Sequence, residues 1–210
     1  MATALIATLG FDEKFCYRAM VRNGIKSGDR VILITAGAVE KVVRAYEHVR
    51  NFAETSYDGV FVELVEVDPK NFVSGVSKIL RILKELENYD LIVNLSGGMR
   101  VISLMVYTAL AFSGKSARVE IELEDFSGVV EVEGEIFKLL EVKSKLSDEK
   151  VKLLKIVENE EMEAMKLAEI IGKDVTTVRR HIYELERLGL IEVVSRKPLK
   201  VRAKKVVELL

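Results

Sequence analysis

The chain has 210 residues, 49 % of them hydrophobic, and a formal net charge of −1, which is enough apolar material for one large domain and a second, smaller one. No run of about 18 apolar residues is free of charge and residues 1–8 contain no basic segment, so we expect a cytoplasmic protein without a transmembrane helix or signal peptide. Because Cys16 is the only cysteine and the two histidines lie far apart, the sequence predicts no disulfide framework, no metal site and no resident cofactor.

Charge is unevenly distributed along the chain. Residues 1–143 carry 17 lysines and arginines against 21 acids, a net charge of −4, whereas residues 144–210 carry 15 against 12, a net charge of +3. Residues 195–205 contain six basic side chains and no acid. This asymmetry predicts two domains, residues 1–143 and residues 144–210, with a polyanion as a candidate partner of the second. The abundance of lysine and glutamate is also typical of thermophilic proteins.

Strands and helices alternate in the first part of the chain. The predicted strands are residues 3–8, 30–35, 60–67 and 90–95, and the predicted helices are residues 12–24, 39–53, 70–86 and 101–112. Continuous apolar strands that alternate with helices indicate a parallel sheet covered on both faces. Apolar and acidic residues then alternate in 117–125 and 129–134, which predicts half-exposed antiparallel strands, with residues 136–140 as a candidate third strand.

The predicted helix over residues 101–112 has almost no polar surface. Apart from Ser103 and Thr108, all of its side chains are aliphatic or aromatic. A helix that is apolar all round must be buried on more than one side. It is therefore either the central helix of one large domain or part of a homodimer interface, and both interpretations stay open at this stage.

Short helices replace the alternating pattern after residue 145. We expect a first helix capped by Ser147 or Asp148, a second that ends at Gly172, and a third that begins at Asp174 and stops at Gly189. A pair of strands is predicted, one before and one after residues 197–198. One face of the third helix is apolar and forms the predicted core: Val178, Ile182, Leu185 and Leu188.

The opposite face of this third helix is suited to reading DNA. It carries Thr176, Thr177, Arg179 and Arg180, and the following strand pair adds Arg196, Lys197, Lys200 and Arg202. A helix that enters the major groove must present donors to base edges and phosphates in its first turns. The segment KLAEIIGKDVTTVRRHIYELERLGLI resembles winged helix-turn-helix regulators, and the resemblance covers about residues 147–205. The alternative is a small domain of this kind that serves only for protein contacts.

A polar loop with two glycines follows the fourth predicted strand, in the segment LIVNLSGGMR (residues 91–100). Ligands of open α/β sheets bind beyond the carboxyl ends of the strands, where the polar segments 8–13 and 35–38 are also expected. Gly97 and Gly98 leave backbone amides free at a helix N-terminus, which favours an anion such as phosphate. Neither GxGxxG nor GxxxxGK[ST] occurs, which disfavours ordinary dinucleotide and Walker-type sites. The alternative is a tight strand-to-helix turn without a ligand.

The combination of this loop with a winged helix resembles the CARF-domain transcriptional regulators of CRISPR systems, which are mostly archaeal. The family's Asn-x-Ser/Thr-Gly-Gly motif, followed by a variable residue and a Lys or Arg, is matched by Asn94, Ser96, Gly97, Gly98 and Arg100. The resemblance covers essentially the whole chain. It implies a Rossmann-like α/β domain that dimerises, followed by a small winged helix-turn-helix domain. It also implies that a cyclic oligoadenylate, commonly the tetra-adenylate, binds across the two-fold axis and controls binding to a near-palindromic DNA site.

The expected ligand contacts come from the loops after three strands: residues 8–11 and 94–100 match the family's ligand-contacting loops, and Thr35 and Ala36 belong to the polar loop after the second strand. The expected set is Thr8, Leu9, Gly10, Phe11, Thr35, Ala36, Asn94, Leu95, Ser96, Gly97, Gly98, Met99 and Arg100. Many relatives carry lysine where Arg100 stands, and some of those cleave the ligand. Because arginine does not reproduce the position of a lysine ammonium, we expect a sensor without catalytic residues. The alternative is a ring nuclease in which Thr8, Ser96 and Arg100 are the catalytic candidates.

Overall fold

The computed structural model describes residues 2–132, 134–143 and 146–210 and divides into two compact units, Met1–Gly134 and Glu135–Leu210. This division falls before the helix Glu135–Val142, whereas the sequence places the domain boundary after residue 143. Leu139 and Val142 of that helix belong to the apolar core of the second unit.

A mostly parallel sheet forms the centre of the first unit. Within the described residues its six strands are β1 (Ala2–Thr8), β2 (Arg30–Thr35), β3 (Phe61–Glu66), β4 (Tyr89–Asn94), β5 (Arg118–Glu122) and β6 (Val129–Val132). They lie in the order β3-β2-β1-β4-β5-β6, and only the β5–β6 pair is antiparallel. The predicted parallel sheet with an antiparallel edge pair is confirmed.

Helices connect the parallel strands: α1 (Lys14–Arg22), α2 (Glu40–Ser56), α3 (Phe72–Glu85) and α4 (Arg100–Ser113). Each predicted helix is present, with its ends within three residues of the prediction. In β1 and β2 every side chain from Ala4 to Ala7 and from Val31 to Ile34 is fully buried. Because successive side chains of a strand point to opposite faces, this burial shows that both faces of the sheet are covered.

The strand order places three loops at one edge of the sheet. β1 pairs with β2 on one side and with β4 on the other, so the direction of winding reverses at β1. The register sets Thr8 opposite Ile34 and Ala7 opposite Asn94, so the three strands end at the same level. Such a reversal leaves a crevice between the loops after β1 and β4, which is where open α/β sheets bind ligands.

The apolar helix α4 is buried on one side only within a single chain. Its buried residues are Ile102, Met105, Val106, Ala109 and Leu110, and this side packs against α3. Leu104 and Phe112, by contrast, are 58 % and 77 % exposed. A position as the central helix of the domain therefore does not account for all of its apolar residues.

The candidate strand at residues 136–140 is wrong, because this segment lies in α5 (Glu135–Val142). Its apolar residues are compatible with either period, and the choice depends on tertiary packing. Phe137 is fully buried, and Leu139 packs in the core of the second unit. Leu139 and Val142, both in this core, are three residues apart, which places them on one face of a helix but on opposite faces of a strand.

The second unit is a winged helix-turn-helix. After α5 its elements are α6 (Asp148–Ile156), β7 (Met162–Glu163), α7 (Ala164–Ile171), α8 (Val175–Arg187), β8 (Ile191–Arg196), β9 (Leu199–Ala203) and a 3-10 helix, Lys205–Leu209. In the described part of the unit, β7, β9 and β8 form a three-stranded antiparallel sheet.

The helix ends of the second unit follow the predicted caps. Ser147 and Asp174 accept hydrogen bonds from the amides of Lys150 and Thr177, at 3.4 and 2.9 Å. Gly172 ends α7 in the left-handed conformation with a φ of +74°. No helix among the described residues is long and apolar enough to cross a membrane.

Candidate functional site

A cavity of about 790 Å³ opens between the loops that follow β1, β2 and β4. Its volume is in the range of small-molecule sites, and its position matches the crevice at the reversal of strand order. Most of the predicted ligand contacts line it: Leu9, Gly10, Phe11, Thr35, Ala36, Ser96, Gly97, Gly98 and Met99. The remaining predicted contacts, Thr8, Asn94, Leu95 and Arg100, are not among the lining residues.

The glycines allow the first and third of these loops to pack directly against each other. A β-carbon on Gly97 would lie 2.5 Å from the carbonyl oxygen of Thr8, and one on Gly10 would lie 3.0 Å from the α-carbon of Gly98. Gly98 also has a φ of +74°, which other residues rarely adopt. The sequence predicts that Gly97 and Gly98 leave amides free for an anion, and the structure shows in addition that these glycines allow the two loops to approach each other closely.

Thr8 and Asn94 are buried and hold the third loop in place. The Thr8 hydroxyl donates a hydrogen bond to the carbonyl oxygen of Gly97 at 2.7 Å. The Asn94 side-chain oxygen accepts one from the amide of Ser96 at 3.1 Å. Both side chains therefore determine the shape of the pocket floor through the backbone of the loop.

Aromatic and apolar side chains dominate the pocket wall. Phe11 and Met99 both line the cavity and are 67 % and 53 % exposed. Phe126, from the turn between β5 and β6, stacks on Phe15 with their ring centroids 5.4 Å apart. Flat apolar surfaces of this kind are suited to the faces of nucleobases.

The sequence did not identify several lining residues: Asp12, Phe15, Gly37, Val39, Val42, Pro69, Glu124 and Phe126. Most of them lie in or just beyond the two polar segments already singled out, so a wider window would have included them. Glu124 and Phe126 lie in the turn between β5 and β6. This turn lies next to the pocket only because β5 pairs with β4.

The positive charges lie at the margin of the pocket. Among the described residues that line it there is no lysine or arginine, whereas the acids Asp12 and Glu124 are present. Arg100 is exposed at the start of α4, and the Lys41 ammonium lies 5.6 Å from the centroid of the Phe11 ring. In the described part of the chain no side chain caps the first amides of α4, which leaves a helix N-terminus available to an anion. The arrangement favours bases inside the cavity and phosphates at its margin.

The predicted DNA-contacting residues fall into two electrostatic groups. Arg179 and Arg180 on α8 and Lys197 between β8 and β9 are exposed and form no ion pair with a described residue. The other three predicted cations are paired with carboxylates: Arg196 with Glu186 at 3.6 Å, Lys200 with Glu161 at 3.1 Å and Arg202 with Glu192. The hydrogen bond with Glu192 raises the pKa of Arg202 above its ordinary value.

The two predicted threonines also differ in whether their side chains already have a partner within the chain. Thr176 is exposed near the start of α8. The Thr177 hydroxyl donates a hydrogen bond to Asp174 at 2.6 Å, so it takes part in capping the helix. The face of α8 that is open to a partner therefore presents Thr176 with the two arginines.

Comparison with known proteins agrees with this architecture. Residues 3–133 match the family model of the Csa3 CRISPR-associated Rossmann-like domain, and residues 145–207 match a model described as HVO_A0114. No curated protein sequence matches the chain.

Among solved structures, Enterococcus italicus Csm6 bound to cyclic hexa-2'-fluoro-hexa-dAMP has a similar fold, with a TM-score of 0.50 and 8 % sequence identity. The match covers 90 % of this chain and 52 % of that chain, so this protein spans about half the length of Csm6. At this identity the likeness shows the fold alone. Because the first family model covers more than half of its residues, the chain belongs to the Csa3 family of CRISPR-associated Rossmann-like (CARF) proteins.

Proposed function

We propose that this protein is a ligand-responsive transcriptional regulator of CRISPR-associated genes. The effector is a cyclic oligoadenylate, with cyclic tetra-adenylate as the first candidate, and the second unit binds double-stranded DNA. The observation that carries the proposal is the cavity of about 790 Å³, where exposed aromatic rings lie beside an uncapped helix N-terminus. Stacking surfaces for bases and amides for phosphates together fit an oligonucleotide better than a free anion.

The first unit is proposed to act as a homodimer through the exposed side of α4. Leu104 and Phe112 are separated by two four-residue steps on this helix, so they form one stripe that starts near the ligand loop. Covering this stripe with the same stripe of a second copy satisfies two-fold symmetry. A cyclic ligand on that axis contacts both loops and favours one arrangement of the subunits, which is the differential binding that allostery requires.

DNA recognition is proposed to rest on α8, with Arg179 and Arg180 as donors to base edges or phosphates. These two residues point about 100° apart, so they are expected to have different roles. A dimer implies a near-palindromic site with half-sites about one helical turn, or a multiple, apart.

A sensor is favoured over a ring nuclease by the hydrogen bonding of the candidate catalytic groups. The Thr8 hydroxyl donates to Gly97, and the Ser96 hydroxyl accepts from the amide of Glu122 at 2.8 Å. Neither is oriented by a general base, and no histidine lines the described pocket. Incubation with labelled cyclic tetra-adenylate should therefore return intact ligand.

The proposal is tested by calorimetric titration of the full chain with cyclic tetra-adenylate, with cyclic hexa-adenylate and linear tetra-adenylate as comparisons. A gel-shift assay on promoter DNA of CRISPR-associated genes from the same genome, with and without ligand, tests the coupling. We expect tight binding of one cyclic ligand per dimer and a ligand-dependent change in DNA affinity. Absence of binding to either ring contradicts the ligand assignment, and absence of any DNA shift favours a protein-interaction role for the second unit.

A further inference from the structure

Two buried glutamates on β5 lie next to the ligand loop. Glu120 and Glu122 are 1 % and 2 % exposed, although the alternation of acidic and apolar residues predicts half-exposed acids. A buried carboxylate is unfavourable unless it is paired. The partners come from the C-terminal half of α1 and the residue that follows it. The Arg22 Nε lies 3.0 Å from Glu120 Oε2, Arg18 pairs with Glu122, and the Asn23 amide donates to Glu120 Oε1 at 2.7 Å.

β5 contacts the first residues of the ligand loop at three points. The amide of Leu95 donates to the carbonyl oxygen of Glu120 at 3.0 Å, and the Asn94 side-chain amide lies 3.5 Å from Glu120 Oε1. The amide of Glu122 donates to the Ser96 hydroxyl at 2.8 Å. Asn94 then binds the amide of Ser96, so a connection runs from the carboxylate of Glu120 to the backbone that leads into the two glycines.

We propose that Glu120 is a positioning residue of the ligand loop and acts through the side chain of Asn94. Held by Arg22 and Asn23, its carboxylate fixes which way the Asn94 amide points. Asn94 then presents its oxygen to the amide of Ser96, which sets the backbone of the pocket floor. The inference rests on the proposed binding of a cyclic oligoadenylate at this pocket.

The chemistry at this position requires a group that only accepts hydrogen bonds. Arg22, Asn23 and Asn94 all direct donors at the Glu120 carboxylate. In Glu120→Gln, one of the two oxygens becomes an NH₂ group of nearly the same size. Whichever way this amide is turned, the NH₂ faces a donor. With the NH₂ at the Oε1 position the contact with Asn94 is lost directly, and with the NH₂ at the Oε2 position the contact with Arg22 that holds Glu120 is lost, so either orientation weakens the hold on Asn94 without creating a cavity.

The same sheet supplies a matched control. Glu63 on β3 pairs with Arg30 at 3.3 Å, and both side chains are half-buried, at the other end of the strand order. Glu63→Gln removes the same charge from an ion pair that is more exposed than that of Glu120 and does not adjoin the pocket. A role in stability alone predicts that both variants lower the unfolding midpoint and leave ligand affinity unchanged.

The experiment measures two properties of the full chain. The first is its affinity for cyclic tetra-adenylate, by calorimetry, and the second is the set of ¹⁵N and ¹H chemical shifts of the Ser96, Gly97 and Gly98 amides without ligand, by NMR. We expect Glu120→Gln to weaken binding about tenfold, as for the removal of one hydrogen bond to a charged group, and to shift these amides. Glu63→Gln should change affinity less than about twofold and leave the amides in place.

Unchanged affinity and unshifted amides in Glu120→Gln overturn the inference while the proposed function stands. If the wild type binds no cyclic oligoadenylate, the proposed function fails, and the amide positions still decide whether Glu120 sets the loop. If Glu120→Gln does not fold, Arg22→Lys replaces it. A lysine keeps the positive charge but does not reproduce the contacts of Arg22 with both carboxylates, so the same amides should shift.

Discussion

The affinity for DNA should depend on salt as expected for a small set of unpaired cations. In each protomer Arg179, Arg180 and Lys197 form no ion pair within 4 Å among the described residues, although Arg180 acts on Glu184 at longer range, whereas Arg196, Lys200 and Arg202 are paired. Each phosphate contact contributes about −0.9 to the slope of log Kobs against log salt concentration. A dimer that uses only its free cations is therefore expected to show a slope of about −5, whereas the use of all six per protomer gives about −11.

Two lysines of the wing provide the decisive comparison. Lys197→Ala removes a free cation from both protomers and should make the slope less steep by about 1.8. Lys200→Ala removes a cation whose charge is already offset by Glu161 at 3.1 Å, so we expect a change below about 0.5. Both substitutions replace lysine by alanine, three residues apart in the same chain. A difference between their slopes therefore reflects the ion pair of Lys200 and not the type of substitution.

Fluorescence anisotropy with a labelled promoter duplex and a scrambled duplex, over a series of KCl concentrations, measures these slopes. Removing a phosphate-binding cation should weaken binding to both duplexes alike, whereas removing a base-reading side chain at Arg179 or Arg180 should relax specificity by about 1–3 kcal/mol at one position. Equal slope changes for Lys197→Ala and Lys200→Ala would refute the reasoning. A wild-type slope near −11 would likewise show that the ion pairs of the wing open on DNA.

Further predictions concern the ligand, the dimer, the buried thiol of Cys16 and the exposed ion pair of Glu149 with Lys173. Arg100→Ala should weaken cyclic tetra-adenylate binding by about 1.5–3 kcal/mol in calorimetry, since the substitution removes one charge-assisted hydrogen bond at the pocket margin; unchanged affinity removes Arg100 from the site. Leu104→Glu should yield a monomer by light scattering, because it places a charge on the apolar stripe; a wild type that is already monomeric contradicts the proposed dimer. Burial raises the pKa of the Cys16 thiol to about 12, so a thiol reagent at neutral pH should label it only after unfolding; rapid labelling of the folded chain contradicts this. The Lys173 hydrogen bond lowers the pKa of Glu149, so its stabilisation is present above the ordinary value of 4.5 and is lost as the pH falls through the lowered pKa; the unfolding midpoints of wild type and Glu149→Gln should therefore converge in acid, and a difference that persists there contradicts the assignment.

Much of the fold is predictable because the local pattern and the tertiary environment agree. β1 and β2 are continuous apolar strands, and burial on both faces of a parallel sheet requires that composition. The helix boundaries of the second unit are predictable, since the Asp174 side chain caps the start of a helix and Gly172, which lacks a β-carbon, adopts the left-handed conformation at the end of another. The apolar residues of α5 fit both the helical and the strand period. In such a segment the packing against the neighbouring core determines the secondary structure, and the sequence of the segment alone does not predict it.

The candidate site is predictable where one loop carries all of its signals. Asn94, Ser96 and the two glycines are adjacent in sequence, so their shared location requires no knowledge of topology. Phe126 is different, because its turn reaches the pocket only through the pairing of β5 with β4, and nothing local to it indicates this neighbour.

An alternating strand usually has its acids on the exposed face, yet Glu120 and Glu122 are buried. The reason is that the spacing of the two acids on β5 matches the spacing of two arginines on α1. Residues four apart on a helix are separated by about 6 Å along its axis, and residues two apart on a strand by about 6.6 Å. Arg18 and Arg22 on α1 therefore have nearly the same spacing as the two acids on β5, and Arg22 also contacts Glu122 at 3.3 Å. Because a connecting helix runs opposite to the parallel strands, the earlier arginine meets the later acid: Arg18 pairs with Glu122 and Arg22 with Glu120. A helix with arginines at i and i+4 and an acidic strand with the same repeat distance are each visible in the sequence. The register that brings them together spans about a hundred residues and comes only from the strand order.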